Sequence, residues 1–119
     1  MGFLYVIAWK SELETGGKVD SLIEELLSGL HKYNIRVFVE KNKEKGKDIV
    51  KQALKEHGLK PEDGLLLAAS DNLLQQAEET GLATIGFLNP EWKNQTYRKA
   101  QILVEGFEEV DFYFLERIY

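Results

Sequence analysis

Without cysteine, chemistry in this chain must come from carboxylates, amines, hydroxyls and amides. These gather where apolar runs end. Lys10 and Ser11 follow one run, Lys41 and Asn42 a second, and Ser70, Asp71 and Asn72 a third. If the runs are parallel strands, these residues lie just beyond strand carboxyl ends, where open α/β sheets hold ligands. They are the candidate ligand-binding positions. A Ser-Asp-Asn run opening a helix presents backbone N–H groups to an anion, although such runs more often simply cap the helix. Lys41, Lys43, Lys45 and Lys47 would attract a phosphate or an acidic partner, but Glu44 and Asp48 are interleaved and a solvated loop is the plainer reading. Asp71 alone makes a weak metal site, because hard cations take several oxygens. His31 and His57 lack a second His or Cys at ligand spacing and read as structural residues near helix ends. Trp92 and Tyr97 offer aromatic faces with no basic groove beside them.

Composition sets the outer bounds. The chain has 119 residues, enough for one domain (residues 1–119) with a real core. A net charge of −5 leaves no basic excess to neutralise phosphates, which argues against nucleic-acid and membrane partners. The absence of Cys removes disulfides, thiol nucleophiles and Cys zinc sites. The apolar opening is short and lacks a basic n-region, and no run is long enough to span a bilayer, so a cytoplasmic protein is expected.

The elements that must carry the candidate residues follow from periodicity. Residues 65–69 are an unbroken apolar run, as a strand buried on both faces requires. Ser70 to Asn72 cap a helix with Leu73, Leu74 and Ala77 inward and Gln75, Gln76, Glu78 and Glu79 outward; Gly81 stops it, and residues 82–88 form the next strand. Residues 2–9 are a β-branched and aromatic strand. Residues 10–18, with Gly16-Gly17, read as a flexible loop. A helix spans 19–33, with Leu22, Ile23, Leu26, Leu27 and Leu30 on one face. A strand at 35–39 carries Arg36 and belongs nearer an edge. A helix at 48–57 ends at Gly58. Residues 91–99 are irregular, 101–104 form a short strand, and a helix is expected from about Glu108 onward. The alternation predicts an α/β fold: a three-layer α/β/α sandwich with a mostly parallel five-stranded sheet, the strands near residues 3 and 65 being central.

The same residues carry a family resemblance. Lys60-Pro61-Glu62-Asp63 leads into Leu65–Leu67 and then Ala68-Ala69-Ser70, with Ala77 and Gly81 downstream. This resembles the haloacid-dehalogenase-like (HAD) hydrolases, in which a Lys-Pro-Glu-Asp turn leads to a strand ending Gly-Asp-Ser. The tail from Val104 to Leu115 resembles the C-terminus of some phosphoglucomutase-like members. The resemblance implies a Rossmann-like HAD core, here without room for a cap domain. It also implies a site made of an Asp nucleophile and a second Asp two residues on, a Ser or Thr after the second strand, a Lys beyond it, and a late Asp on magnesium. This sequence departs at each position. Ala8 and Lys10 replace the Asp pair, Lys41 the Ser or Thr, Glu44 the Lys, and Ala69 the magnesium Asp. A methyl group replaces neither a nucleophile nor an oxygen ligand. Glu12 and Glu14, the nearest carboxylates, read as lying out in the loop.

The expectation is therefore a degenerate, non-catalytic HAD-like protein with no catalytic residue, cofactor or metal. It would bind a partner chain or a small anionic ligand. The alternatives are an atypical HAD phosphatase or hydrolase using Glu12, Glu14 or Asp71, and a receiver-like signalling domain. Too many aromatic residues lie between 107 and 119 for one helical stripe, so that segment is expected to contribute to a homodimer.

Overall fold

Tyr5, Val6, Ile7, Ala8 and Trp9 are all buried, so their strand must be covered on both faces. It is β1 (Tyr5–Trp9) of a computed structural model that describes residues 3–19, 21–41 and 48–104. After it come α1 (Lys10–Leu13), β2 (Glu14–Thr15), β3 (Lys18–Val19), α2 (Ser21–Leu30) and β4 (Arg36–Glu40). Then follow α3 (Ile49–His57), β5 (Gly64–Ala68), α4 (Asp71–Thr80), β6 (Ala83–Phe87) and β7 (Ile102–Val104). Single 3-10 turns, His31–Tyr33 and Pro61–Asp63, lead into β4 and β5.

Among the described residues the main sheet has five strands in the order β4-β1-β5-β6-β7, every neighbouring pair parallel. β1 and β5 are interior, and β4, with Arg36 exposed, is at an edge, as the sequence predicts. Side chains alternate between two apolar layers. Val6, Ala8, Leu65, Leu67, Ala69 and Ile85 face one cluster that includes Leu13, Leu30 and Phe87. Tyr5, Ile7, Trp9, Leu66 and Ala68 face another, against Val50, Ala53 and Leu54 of α3 and Leu73, Leu74 and Ala77 of α4. The result is a three-layer α/β/α sandwich.

The helix stops fall where the sequence puts them. The Gly58 and Gly81 amides donate to the Lys55 and Glu78 carbonyls, and Leu59 and Leu82 donate to Leu54 and Ala77, which is the Schellman pattern at both ends. Two expectations change. Gln76 is buried: its Oε1 accepts from the Val50 amide at 3.0 Å and its Nε2 donates to Asn72 Oδ1, so α4 turns an amide side chain toward the start of α3. Residues 10–18 are structured, with one helical turn followed by the antiparallel pair β2–β3. Gly16 (φ 64°) and Gly17 (φ 81°) form its two-residue turn, and positive φ at both central positions matches the twist of a tight hairpin. The Gly-Gly pair specifies a turn geometry where its composition alone suggested slack. The expected C-terminal helix and aromatic dimer segment, Asn42 and the lysines at 43, 45 and 47 lie outside the described residues.

Candidate functional site

The carboxyl ends of β1, β5 and β6 meet at Glu12. This residue sits in the single turn of α1 directly after β1 and is only 3% exposed. Its Oε1 accepts the amides of Ala69 (2.6 Å) and Ser70 (3.0 Å), and its Oε2 accepts the Ser70 hydroxyl (2.6 Å). The chain's own carboxylate thus occupies the donors at the end of β5. Burial pushes the Glu12 carboxyl above its ordinary value, while the Ser70 hydroxyl and the Ala69 and Ser70 amides act against burial.

Ser70 is the N-cap of α4, accepting from the Leu73 amide at 3.3 Å, as the sequence predicts. A hydroxyl donating to a buried carboxylate has the form of a nucleophile and base. Here the hydroxyl is itself buried, and its oxygen is turned toward the Leu73 amide. The pair links α1 to the start of α4.

α1 is fixed from two more directions. Buried Asn89, just past β6, donates through Nδ2 to the Glu12 carbonyl (3.1 Å) and the Glu14 carbonyl (2.8 Å). Trp92 Nε1 donates to the Ser11 carbonyl at 3.1 Å, and the Gly16 amide donates to the Glu91 carboxylate.

Asp71 looks the other way. Its Oδ1 accepts the Tyr97 amide (2.7 Å), and its Oδ2 accepts the Thr96 amide (2.7 Å) and hydroxyl (3.1 Å). Its own amide donates to Gln95 Oε1 at 2.6 Å. Slight burial acts upward on this carboxyl, but the Thr96 and Tyr97 amides, the Thr96 hydroxyl and the Arg98 charge together hold it below its ordinary value. Asp71 clamps the segment after β6, including Tyr97, which has a left-handed φ of 57°.

The remaining candidates disperse. Lys10 is exposed and pairs with Glu14 at 3.8 Å. Ser11 contributes its carbonyl to Trp92. Lys41 is exposed beyond β4, on the far side of β1 from Ser70. Asn72 is exposed and accepts from Gln76. His57 Nε2 meets Glu40 Oε2 at 2.9 Å, beside the Phe38 ring. Ala8 and Ala69 bring buried methyl groups to the strand ends. Among the described residues no group of three His, Cys, Asp or Glu is placed to hold a metal ion. Glu12 is the residue that sequence reasoning misplaced. Lys-Ser-Glu-Leu-Glu-Thr looks like surface, and the partners that bury the first Glu lie 57 and 58 residues away.

No protein-family model matches the sequence, and no curated protein matches it. Solved structures do. CbbY from Rhodobacter sphaeroides, in complex with phosphate, superposes with a TM-score of 0.66 at 21% identity over 78% of this chain. A β-phosphoglucomutase from Clostridium difficile gives 0.65 at 15% identity over 82%. A family IA, variant 3 HAD hydrolase from Entamoeba histolytica gives 0.68 at 16% over 89%. This chain has the haloacid-dehalogenase-like fold. It spans 56%, 54% and 63% of those three chains, respectively. The fold thus agrees with the HAD-like resemblance seen in residues 60–81.

Proposed function

We propose that this chain is a non-catalytic HAD-like module that works by binding a partner chain or a small anionic ligand. The observation that carries the reading is the Glu12 carboxylate seated on the Ala69 and Ser70 amides and the Ser70 hydroxyl. Donors that would otherwise stabilise a ligand's oxyanion are already saturated by an internal one. An oxyanion could reach these donors only by displacing the Glu12 carboxylate and being desolvated in its place. The neighbouring methyl groups of Ala8 and Ala69 supply neither nucleophile nor metal ligand. Asp71, the other carboxylate at this end, is committed to the 95–97 segment.

One observation favours an atypical hydrolase instead. Glu12 is a buried carboxylate with a raised pKa, a combination common in general acids. The two readings separate in one experiment, in which p-nitrophenyl phosphate is incubated with the protein and magnesium, alongside Glu12→Gln. We expect no turnover above buffer for either protein. Magnesium-dependent turnover in the unmodified protein that Glu12→Gln abolishes would establish the hydrolase and end the non-catalytic reading.

A further inference from the structure

β4 is an edge strand whose five residues, Arg-Val-Phe-Val-Glu, read as a palindrome in apolarity and a reversal in charge. The Arg36 amide donates to the Leu4 carbonyl at 3.1 Å, so the main-chain groups of residues 36, 38 and 40 point toward β1. By alternation, those of Val37 and Val39 point out of the sheet. An open trough of about 450 Å³ runs along this edge, lined by Asn34, Ile35, Arg36, Val37 and Phe38 among the described residues. Apolar exposure gathers there too. Of the large hydrophobic residues exposed among those described, Tyr33 (47%) and Val39 (41%) lie on this stretch, and Leu4 (48%) is bonded to it. Leu103, the remaining one, is on the three-residue strand β7 at the opposite edge.

We infer that β4 is the docking edge for a second copy of this chain, joined antiparallel about a twofold axis at Phe38. In that register the outward groups of Val37 exchange N–H···O=C bonds with the partner's Val39, and Val39 does the same with the partner's Val37. Arg36 then lies opposite the partner's Glu40, and Glu40 opposite the partner's Arg36, as non-hydrogen-bonded pairs whose side chains approach most closely. One pairing satisfies outward main chain and valines together and sets Arg36 against the partner's Glu40, while Glu40 Oε2 also meets His57 Nε2 of its own chain at 2.9 Å; a twofold axis is the symmetry that a self-complementary strand produces. A parallel or shifted register sets Arg36 beside Arg36 or leaves both charges unmatched. Edge strands are ordinarily blunted by charge, yet here the two charges have opposite signs and exchange partners across the axis. The inference does not depend on what the strand-end site binds.

Sedimentation equilibrium across the micromolar range tests it, with a dimer expected for the unmodified protein. Val39→Pro removes an outward N–H without touching the β1 ladder, a position where edge strands accept proline. It should give a monomer whose circular dichroism matches the unmodified protein and whose melting temperature, unlike that of the dimer, does not vary with protein concentration. Arg36→Glu, at an exposed residue, should weaken the dimer about tenfold or more by opposing like charges at both pairs. Adding Glu40→Arg to it should restore association. A monomer in the unmodified protein, or a dimer that ignores both Val39→Pro and Arg36→Glu, would overturn the inference.

Discussion

Glu12 is held by three donors, and its replacements separate the hydrogen bonds from the charge. Glu12→Ala leaves the Ala69 and Ser70 amides buried without an acceptor, at about 1–3 kcal/mol each, so a total loss of about 2–6 kcal/mol is expected in urea denaturation. Glu12→Gln keeps an acceptor on both amides and places an NH₂ against the Ser70 oxygen, so about 1 kcal/mol or less is expected. The pH dependence has a definite sign. Because burial raises this carboxyl, the native state retains a proton that the unfolded chain has already released. Stability from this group is full below the ordinary carboxyl value and falls as pH rises through the raised one. Melting temperature should decline across that window, and Glu12→Gln should remove the decline. Asp71 behaves oppositely. Its lowered value makes its contribution present above the ordinary range and lost as pH falls through the folded value. Asp71→Asn should cost about 1–2 kcal/mol by weakening the clamp on the Thr96 and Tyr97 amides. Hydrogen exchange at those two amides should quicken while exchange in β1 stays unchanged.

At the level of elements, β1 and β5 fit each other through a size difference. Gly64 pairs with Tyr5, and a β-carbon added at 64 would fall 2.1 Å from the tyrosine ring. The ring cannot yield cheaply, because it belongs to the α3-side core and its hydroxyl donates to the Lys60 carbonyl at 2.8 Å. Gly64→Ala should therefore destabilise by about 1–3 kcal/mol or more, measured by thermal melting. The elements were largely readable from sequence because their signals are local. Residues 65–69 are apolar without interruption, Ser70 caps three residues ahead, and Gly58 and Gly81 close helices by backbone bonds of short span. The site was not, because its signals are remote. Nothing near Glu12 marks it for burial, and Asn89 and Trp92 reveal their purpose only once β6 has returned beside α1. The hairpin at β2–β3 was missed for another reason: a Gly-Gly pair denotes either slack or a tight turn, and two-residue strands carry almost no pattern.

For the whole molecule, a binding module and a magnesium enzyme differ in linkage. A cation that binds only the native state raises the melting temperature with concentration. Ala8 and Ala69 offer no oxygen side chain, and Glu12 and Asp71 are engaged with the chain's own donors. Millimolar magnesium and chelator should therefore give the same melting curve. A concentration-dependent rise with magnesium, lost in Asp71→Ala, would instead mark a metal site at the start of α4.

The bonds that hold α1 have a further consequence, for the order in which the molecule assembles. Those from Ala69, Ser70, Asn89 and Trp92 span 57 to 81 residues of chain. The Glu12 bonds close a loop that the β1–β5 ladder closes as well, whereas those from Asn89 and Trp92 wait until β6 is in place. The turn after β1 has little of its own to hold it before then, being one helical turn without a side-chain N-cap. The strand-end site is thus expected to form late, after β6 has joined β5, and to open first. In native-state hydrogen exchange the Ala69 and Ser70 amides should open at lower denaturant than the β1–β5 ladder, as a separate cooperative unit. A ligand of the kind proposed above, if held at this end, would then meet a surface that assembles and releases while the sheet beneath it stays intact.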